Sequence, residues 1–333
     1  MTIDVSIVMV NYKEPNLTLI CLESIYKFSK DVTFEIIVVD NNSEDNSEQL
    51  ITESYPLVKW INSGFNAGTS IAYNIGVKNS SGKYVLIINN DTEFIENTLK
   101  ITLDYYRELE KTTKVGMLGC QIIGYDNIIQ FNSNTRFIDY KRFLRGNPIA
   151  IKLNLFQTKL SDEERLKLHL SEHQPEWMGI PFGLVNSKVF TEDKAFFDED
   201  IFMYFDDVEW CYRLKKLGYK HFFTTKTTVI HYNGGSMGNN FSGWRYGQII
   251  ISDWLGLIKI YGRAYFLLCM SILFFNITLD NFFYFLKPRK RDPETKKMID
   301  LDRKMFFKYF PIILFSYSKK TSKAKKFLKY ELS

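Results

Sequence analysis

Short apolar runs rich in β-branched residues alternate with amphipathic stretches through the first ninety residues. The runs are Ile3–Val10 (IDVSIVMV), Phe34–Asp40 (FEIIVVD), Val58–Ile61 (VKWI) and Tyr84–Asn89 (YVLIIN), with amphipathic stretches near 15–29, 44–53 and 67–79. Strands apolar along their whole length are buried on both faces, and helical crossovers between them make a mainly parallel sheet flanked by helices. A sheet of this kind takes its ligands beyond the carboxyl ends of its strands. The polar residues collect there: Asn11 and Tyr12 after the first run, Asp40-Asn41-Asn42-Ser43 after the second, Asn89-Asn90-Asp91 after the fourth. That is the pattern of an α/β, Rossmann-like fold with a site at one edge.

Further along, residues 115–124 (VGMLGCQIIG) read as another strand. The segment 134–176 is a polar insertion with one clear helix, opened by Ser161 and Glu164 as a capping box. Apolar character returns over Trp177–Val189, where Gly179, Pro181 and Gly183 mark a tight turn or backbone close to a ligand. The stretch Phe196–Gly218 (FFDEDIFMYFDDVEWCYRLKKLG) then puts Asp198, Glu199, Asp200, Asp206 and Asp207 within ten residues and runs into a helix pattern. Strand-like Tyr219–Phe223 and Thr228–His231 follow, and a glycine-rich loop, Asn233–Gly243.

Charge divides the chain. Residues 287–333 carry 15 Lys and Arg against 5 Asp and Glu, while residues 1–286 are net negative. A nucleic-acid protein would carry its basic face on the folded domain, so an anionic membrane surface is the better partner. Residues 264–286 (AYFLLCMSILFFNITLDNFFYFL) are long enough to span a bilayer, but Asn276, Asp280 and Asn281 interrupt them. An Asp within a span costs about 2.5–3.5 kcal/mol on insertion scales. Helices lying in the membrane interface, with Lys287, Arg289, Lys290 and Arg291 on anionic headgroups, fit better than core packing or a spanning or re-entrant segment. The four cysteines are scattered without zinc spacing, which fits structural thiols in a reducing compartment. The run Val5–Val10 is too short for a signal segment and follows Asp4, so nothing points to secretion.

The chemistry is carried by strand-end and helix-start acids. Asp91 ends a strong strand, where it either holds a divalent ion bridging nucleotide phosphates or belongs to an Asn-Asn-Asp turn. Asp40 either accepts hydrogen bonds from a base or ribose or caps the next helix. Residues Gly64-Phe65-Asn66-Ala67-Gly68 precede a helix whose N–H groups could face phosphate. His231 follows a short strand and precedes a flexible loop, as a metal or diphosphate contact or as a satisfied loop histidine. Of Asp206 and Asp207, one caps the helix; two neighbouring acids raise one pKa, which either suits Asp207 as a base that takes a proton from a hydroxyl or leaves it a second capping acid. Neither GxGxxG nor GxxxxGK[ST] occurs, which lowers dinucleotide and P-loop readings.

Together the segments VSIVMVNYK, EIIVVDNNSED, AYNIG at 72–76, GKYVLIINNDTEF, FFDEDIFMYFDDVEWCYRLKKLGYK and VIHYNGGSMG resemble family-2 glycosyltransferases of GT-A fold, notably the rhamnosyltransferase-like branch. They stand in that family's order over residues 3 to about 238. The resemblance implies a GT-A domain over 1–245, interrupted by the insertion 134–176, and a helical, basic, aromatic region over 246–333 at the membrane. It implies inverting transfer of one sugar from a UDP- or dTDP-sugar to a glycan or lipid-linked acceptor, with Mg2+ or Mn2+, as in O-antigen or capsule assembly. Asp207 matches the catalytic base. Asn11, Tyr12, Asp40, Asn42, Asn74, Asn90 and Asp91 would bind the nucleotide sugar, Asp91 and His231 the metal, and Trp177, Gly179 and Asp206 the acceptor. Asn89 stands where the family's D-x-D motif often has its first Asp, and Asp206 replaces the usual Glu. Localisation at the inner face of the cell membrane, peripheral and cytoplasmic, follows by analogy. Processive synthases of the family carry Q-x-x-R-W and several spans; this chain has Gly243-Trp244-Arg245 and at most one. Two rivals remain: a nucleotidyltransferase, disfavoured because Asn11-Tyr12-Lys13-Glu14-Pro15 is no triphosphate loop, and a non-catalytic sugar-nucleotide or membrane scaffold.

Overall fold

The computed structural model of the chain describes residues 2–144, 160–232, 243–286, 293–318 and 328–331. It divides into two compact units, residues 1–137 with 162–241 and residues 138–161 with 242–333. The glycine-rich loop at 233–242 and the basic run Lys287, Arg289, Lys290 and Arg291 lie outside the described residues.

In the first unit, β1 (Val5–Asn11), α1 (Pro15–Phe28), β2 (Phe34–Asp40), α2 (Ser47–Ser54), β3 (Lys59–Asn62), α3 (Gly68–Lys78) and β4 (Tyr84–Asn89) follow the expected alternation. Pro15 sits in the first turn of α1, where its missing N–H has no partner to lose. The short β5 (Thr92–Phe94), α4 (Thr98–Leu109), β6 (Val115–Ile123), β7 (Ser133–Asn134), β8 (Trp177–Met178), β9 (Phe182–Asn186) and β10 (Lys220–His231) complete it. A short helix, Asp162–His169, follows the capping-box residue Ser161. The eight-stranded sheet runs β3-β2-β1-β4-β9-β6-β10-β5, and β7 pairs with β8 apart from it.

Alternate residues of the central strands enter opposite cores. Ile7, Val38 and Leu86 pack with Leu22 of α1, Ile51 of α2 and Leu103 of α4. Val8, Ile37 and Val85 pack with Ala72 of α3 and with Trp210 and Leu214 of the acidic helix, Asp206–Lys216. Each fully buried aliphatic side chain contributes roughly 1.5–3 kcal/mol, so both helical layers are held by the same strands.

The sheet is more mixed than the apolar runs imply. Strand β9 lies antiparallel between β4 and β6, and β5 antiparallel on β10. The expected strands at 219–223 and 228–231 are one long β10, with an irregularity between Thr224 and Thr228 against β6. Such a register shift inserts residues without ending the strand.

In the second unit, Gly243–Tyr261 and Arg263–Leu286 are separated only by Gly262, whose φ of +91° turns the chain out of the first helix. Pro293–Ser316 follows. Ile258, Phe266, Met270, Met305 and Ile313 are buried. No helix among the described residues is long and apolar enough to cross a membrane, so the spanning reading of 264–286 falls away.

His221 in β10 is a buried titration site away from the acids. Its Nδ1 accepts the Met117 N–H at 3.2 Å and its Nε2 donates to the Cys211 carbonyl at 3.1 Å, so the neutral ring is fully used. Burial pushes its pKa down to about 4 from its ordinary 6.5. The unfolded chain therefore binds this proton at a higher pH than the folded one. Stability is whole above pH 6.5 and is lost as pH falls toward about 4, by roughly 2–4 kcal/mol. Urea unfolding at pH 7 and pH 4.5 checks this, and His221→Gln should flatten that part of the profile.

Candidate active site

The parallel register brings the polar strand ends side by side: Asn11 pairs with Asp40, Asp40 with Asn62, and Val10 with Asn89. Asp40 is buried, and its carboxylate accepts the Ser43 N–H at 2.8 Å, the Ser43 hydroxyl at 2.5 Å and the Asn11 Nδ2 at 2.8 Å. Asn11 Oδ1 accepts the Thr18 hydroxyl at 2.9 Å, and the Asn90 amide donates to Thr18 Oγ1 at 2.9 Å. Asn11, Asp40 and Asn90 therefore belong to one network. Lys13 and Asn42, at φ 59° and 58°, turn the two strand-end loops. Lys13 donates its N–H to Ser43 Oγ, and half-buried Tyr12 has the Lys13 ammonium 5.6 Å from its ring.

Asp91 and His231 meet beside this network. His231 Nε2 lies 3.2 Å from Asp91 Oδ1 and 3.2 Å from Asn89 Nδ2. Gln130 holds the ring from behind, with Oε1 2.8 Å from Nδ1 and Nε2 donating to the His231 carbonyl at 2.8 Å. With the proton on Nδ1, Nε2 accepts the Asn89 amide N–H and lies beside the Asp91 carboxylate. Among the described residues there is no group of three or more His, Cys, Asp or Glu able to hold a metal ion. Two protein donors, completed by substrate phosphates and water, still suit Mg2+ or Mn2+. The charge of Asp91 also reaches Glu14, which burial first and Asp91 second hold above the usual carboxylate range.

The acidic helix is aimed by strained backbone. Tyr204 and Phe205 are both left-handed at φ 62°, immediately before Asp206. Such positions cost about 1–3 kcal/mol each and persist where the surroundings over-determine them. Asp206 is buried, and Thr69 donates its hydroxyl to Oδ2 at 2.7 Å. Burial pushes the Asp206 carboxyl up, against that hydrogen bond. Half-buried Asp207 accepts the Val208 N–H at Oδ1, 2.8 Å away. Its Oδ2 would lie 3.5 Å from a Cβ on Gly179, whose own N–H donates to the Asn132 carbonyl at 2.8 Å. Trp177 is held by its indole N–H on the Arg136 carbonyl at 3.0 Å. Nearby, both polar atoms of the Asn132 side chain are buried without a hydrogen-bond partner.

Tyr73 joins the two halves. Its hydroxyl donates to Asn89 Oδ1 at 3.0 Å. Burial, then the charges of Asp206, Asp91 and Asp207, push its pKa up. One buried phenol thus lies within the field of the metal-side acid and of both helix-start acids. Neither Tyr73 nor Gln130 nor Thr69 stands out in the sequence, because each acts through a partner more than fifteen residues away.

Two expectations need correction. Asn74 does not open toward a nucleotide: its amide donates to the Phe197 carbonyl at 3.0 Å and accepts the Phe197 N–H at 2.9 Å, pinning the loop before the acidic helix. The start of α3 is not a free phosphate cradle either. The Thr69 N–H donates to the Phe202 carbonyl at 2.8 Å, and Asn41 clamps Ala67 N and Gly68 O.

Residues 6–160 match Glycosyl transferase family 2. That segment carries a family 2 glycosyltransferase domain. The chain is 24% identical over 221 residues to the N-acetylglucosaminyl-diphospho-decaprenol L-rhamnosyltransferase of Mycobacterium tuberculosis, covering 62% of this chain and 68% of that one. It is 25% identical over 217 residues to the low-salt glycan biosynthesis hexosyltransferase Agl10 of Haloferax volcanii, covering 64% and 62%. An uncharacterized glycosyltransferase of Rickettsia bellii is 29% identical over 106 residues, 31% of this chain but only 15% of that protein. Among solved structures, S. aureus TarS 1–349 aligns with a TM-score of 0.50 at 15% identity, covering 81% and 69% of the two chains. GalNAc-T7 with UDP, GalNAc and Mn2+ aligns at 0.54 and 16%, covering 79% and 50%. This family 2 domain therefore has a GT-A-like fold, a mixed sheet flanked by helices.

Gly68, at φ +72°, lets the acidic loop close on α3: a Cβ there would lie 1.9 Å from the Phe202 carbonyl oxygen. Gly68→Ala should cost about 2–4 kcal/mol, combining overpacking with a left-handed backbone penalty. Denaturant unfolding of the variant beside Gly64→Ala, which meets nothing within 4 Å at a similar φ, separates the two causes.

Proposed function

We propose that this enzyme transfers one sugar, with inversion, from a UDP- or dTDP-sugar to a hydroxyl of a glycan or lipid-linked acceptor. The observation that carries this reading is that Asp91, paired with His231, and the helix-start acids Asp206 and Asp207 all act electrostatically on the buried Tyr73 phenol, whose hydroxyl donates to Asn89. Asp40, Asn11, Asn42 and Tyr12 take the nucleoside end, and Asn90 and Asp91 the diphosphate end. Asp91 and His231 would hold Mg2+ or Mn2+, whose charge offsets that of the leaving diphosphate. GalNAc-T7, of the same fold, is seen with UDP and Mn2+.

Asp207 takes the proton of the acceptor hydroxyl as that oxygen bonds to the anomeric carbon. The bond to the diphosphate breaks on the opposite face, with no covalent enzyme intermediate. Gly179 leaves room for the acceptor in front of Asp207 Oδ2, beside Trp177. Asp206, tied to Thr69, positions the helix start rather than moving a proton. The Mycobacterium relative is named for L-rhamnosyl transfer to N-acetylglucosaminyl-diphospho-decaprenol, which supports a deoxyhexose and a lipid-linked acceptor. Cell-surface polysaccharide synthesis, O-antigen or capsule, at the inner face of the membrane is the setting that reading implies.

Asp207→Asn should lower kcat by roughly 10²–10⁴-fold while leaving donor binding within a few-fold of the parent. Radiolabelled sugar transfer and calorimetric donor binding measure the two; full activity would remove Asp207 from the base role. A panel of nucleotide sugars with Mn2+ should raise the melting temperature for the true donor only, by about 2.7 kcal/mol of stabilisation at a hundredfold excess over Kd. Chelation with EDTA or Asp91→Asn should abolish that rise; a donor that stabilises equally in EDTA would exclude the metal.

A further inference from the structure

The helix Arg263–Leu286 has two unlike faces. Phe266, Cys269 and Met270 are 0–1% exposed, whereas Leu267, Leu268, Phe274 and Phe275 are 41%, 49%, 51% and 55% exposed. Ala264, Ser271 and Thr278 are exposed in the same stripe, at the three- and four-residue spacing of a single helix face. No charged residue occurs between Ala264 and Leu279. Scattered exposed apolar side chains are ordinary, but a continuous uncharged stripe of large ones marks an interaction surface.

Length and charge decide the occupant. The stripe from Ala264 to Thr278 is about 22 Å long before Asp280 interrupts the apolar run, short of the roughly 30 Å hydrocarbon core, so it would lie along a bilayer rather than cross it. Residues 287–333, which follow it in the chain, carry 15 Lys and Arg against 5 Asp and Glu. A second copy would bring the same basic segment and be repelled; an anionic bilayer attracts it. The helix Pro293–Ser316 repeats the pattern, with Phe307 73% and Phe315 70% exposed on a helix that also exposes Lys304 and Lys308. Large apolar groups beside lysines are the composition of an interfacial helix.

We infer that the exposed face of Arg263–Leu286 seats flat in an anionic lipid surface. This deepens the membrane setting of the proposed function, and its test does not depend on sugar transfer. Full-length protein is floated with phosphatidylcholine vesicles, with and without phosphatidylglycerol, at low and high salt. The parent should float with the anionic vesicles at low salt, and a Leu268→Glu/Phe275→Glu double variant should lose at least about tenfold in partitioning with unchanged circular dichroism. Should the double variant misfold, Phe275→Trp decides: its fluorescence should shift to the blue and be quenched by brominated lipid. Parental flotation of a folded double variant, or an unquenched Trp, overturns the inference. So does a parent dimer in light scattering that becomes monomeric in the double variant, which would make a second copy the occupant. Failed sugar transfer with intact flotation would instead count against the catalytic reading alone.

Discussion

The parallel register of β1, β2 and β4 is the constraint on which the site depends. Each strand buries alternate side chains in two different cores, so a slip of one residue would exchange every side chain between them. With both cores packed, the strands end together, and Asn11, Asp40 and Asn89 arrive at one edge. The buried carboxylate of Asp40 is then supported by Ser43 and Asn11 rather than left uncompensated. A polar network of this kind is stable only when its members are satisfied, and here satisfaction requires the register.

The opposite half of the site hangs on longer reach. Gly68 allows the loop before the acidic helix to touch the start of α3, Asn74 clamps Phe197, and Thr69 ties Asp206. These contacts cross more than a hundred residues of sequence. They hold Tyr204 and Phe205 in left-handed conformations that nothing local would favour. The direction in which Asp206 and Asp207 face is therefore a property of the tertiary packing, and Tyr73 is where it meets the strand-end acids.

Much of this was legible beforehand for a physical reason. Apolar runs of the right length report burial on two faces, and a cluster of polar residues at their ends reports an edge. The positions of Asp40, Asp91 and His231 at or just beyond strand ends were legible that way. Asn74 was misplaced because an amide on a helix can serve a ligand or a loop, and only the position of Phe197 separates the two. Tyr73 and Gln130 were missed because a tyrosine within a helix pattern and a glutamine near a strand carry no local mark of what their polar tips meet.

By itself the sequence determined the strand–helix alternation, the edge where polar residues collect and the division between an acidic body and a basic tail, since these follow from period, composition and charge. Tertiary structure alone decided that β9 runs against its neighbours, that the charges of acids from two distant segments reach one buried phenol, and which face of Arg263–Leu286 stays bare. Strand direction, side-chain convergence and residual exposure depend on what packs against what, and no local pattern encodes the partner.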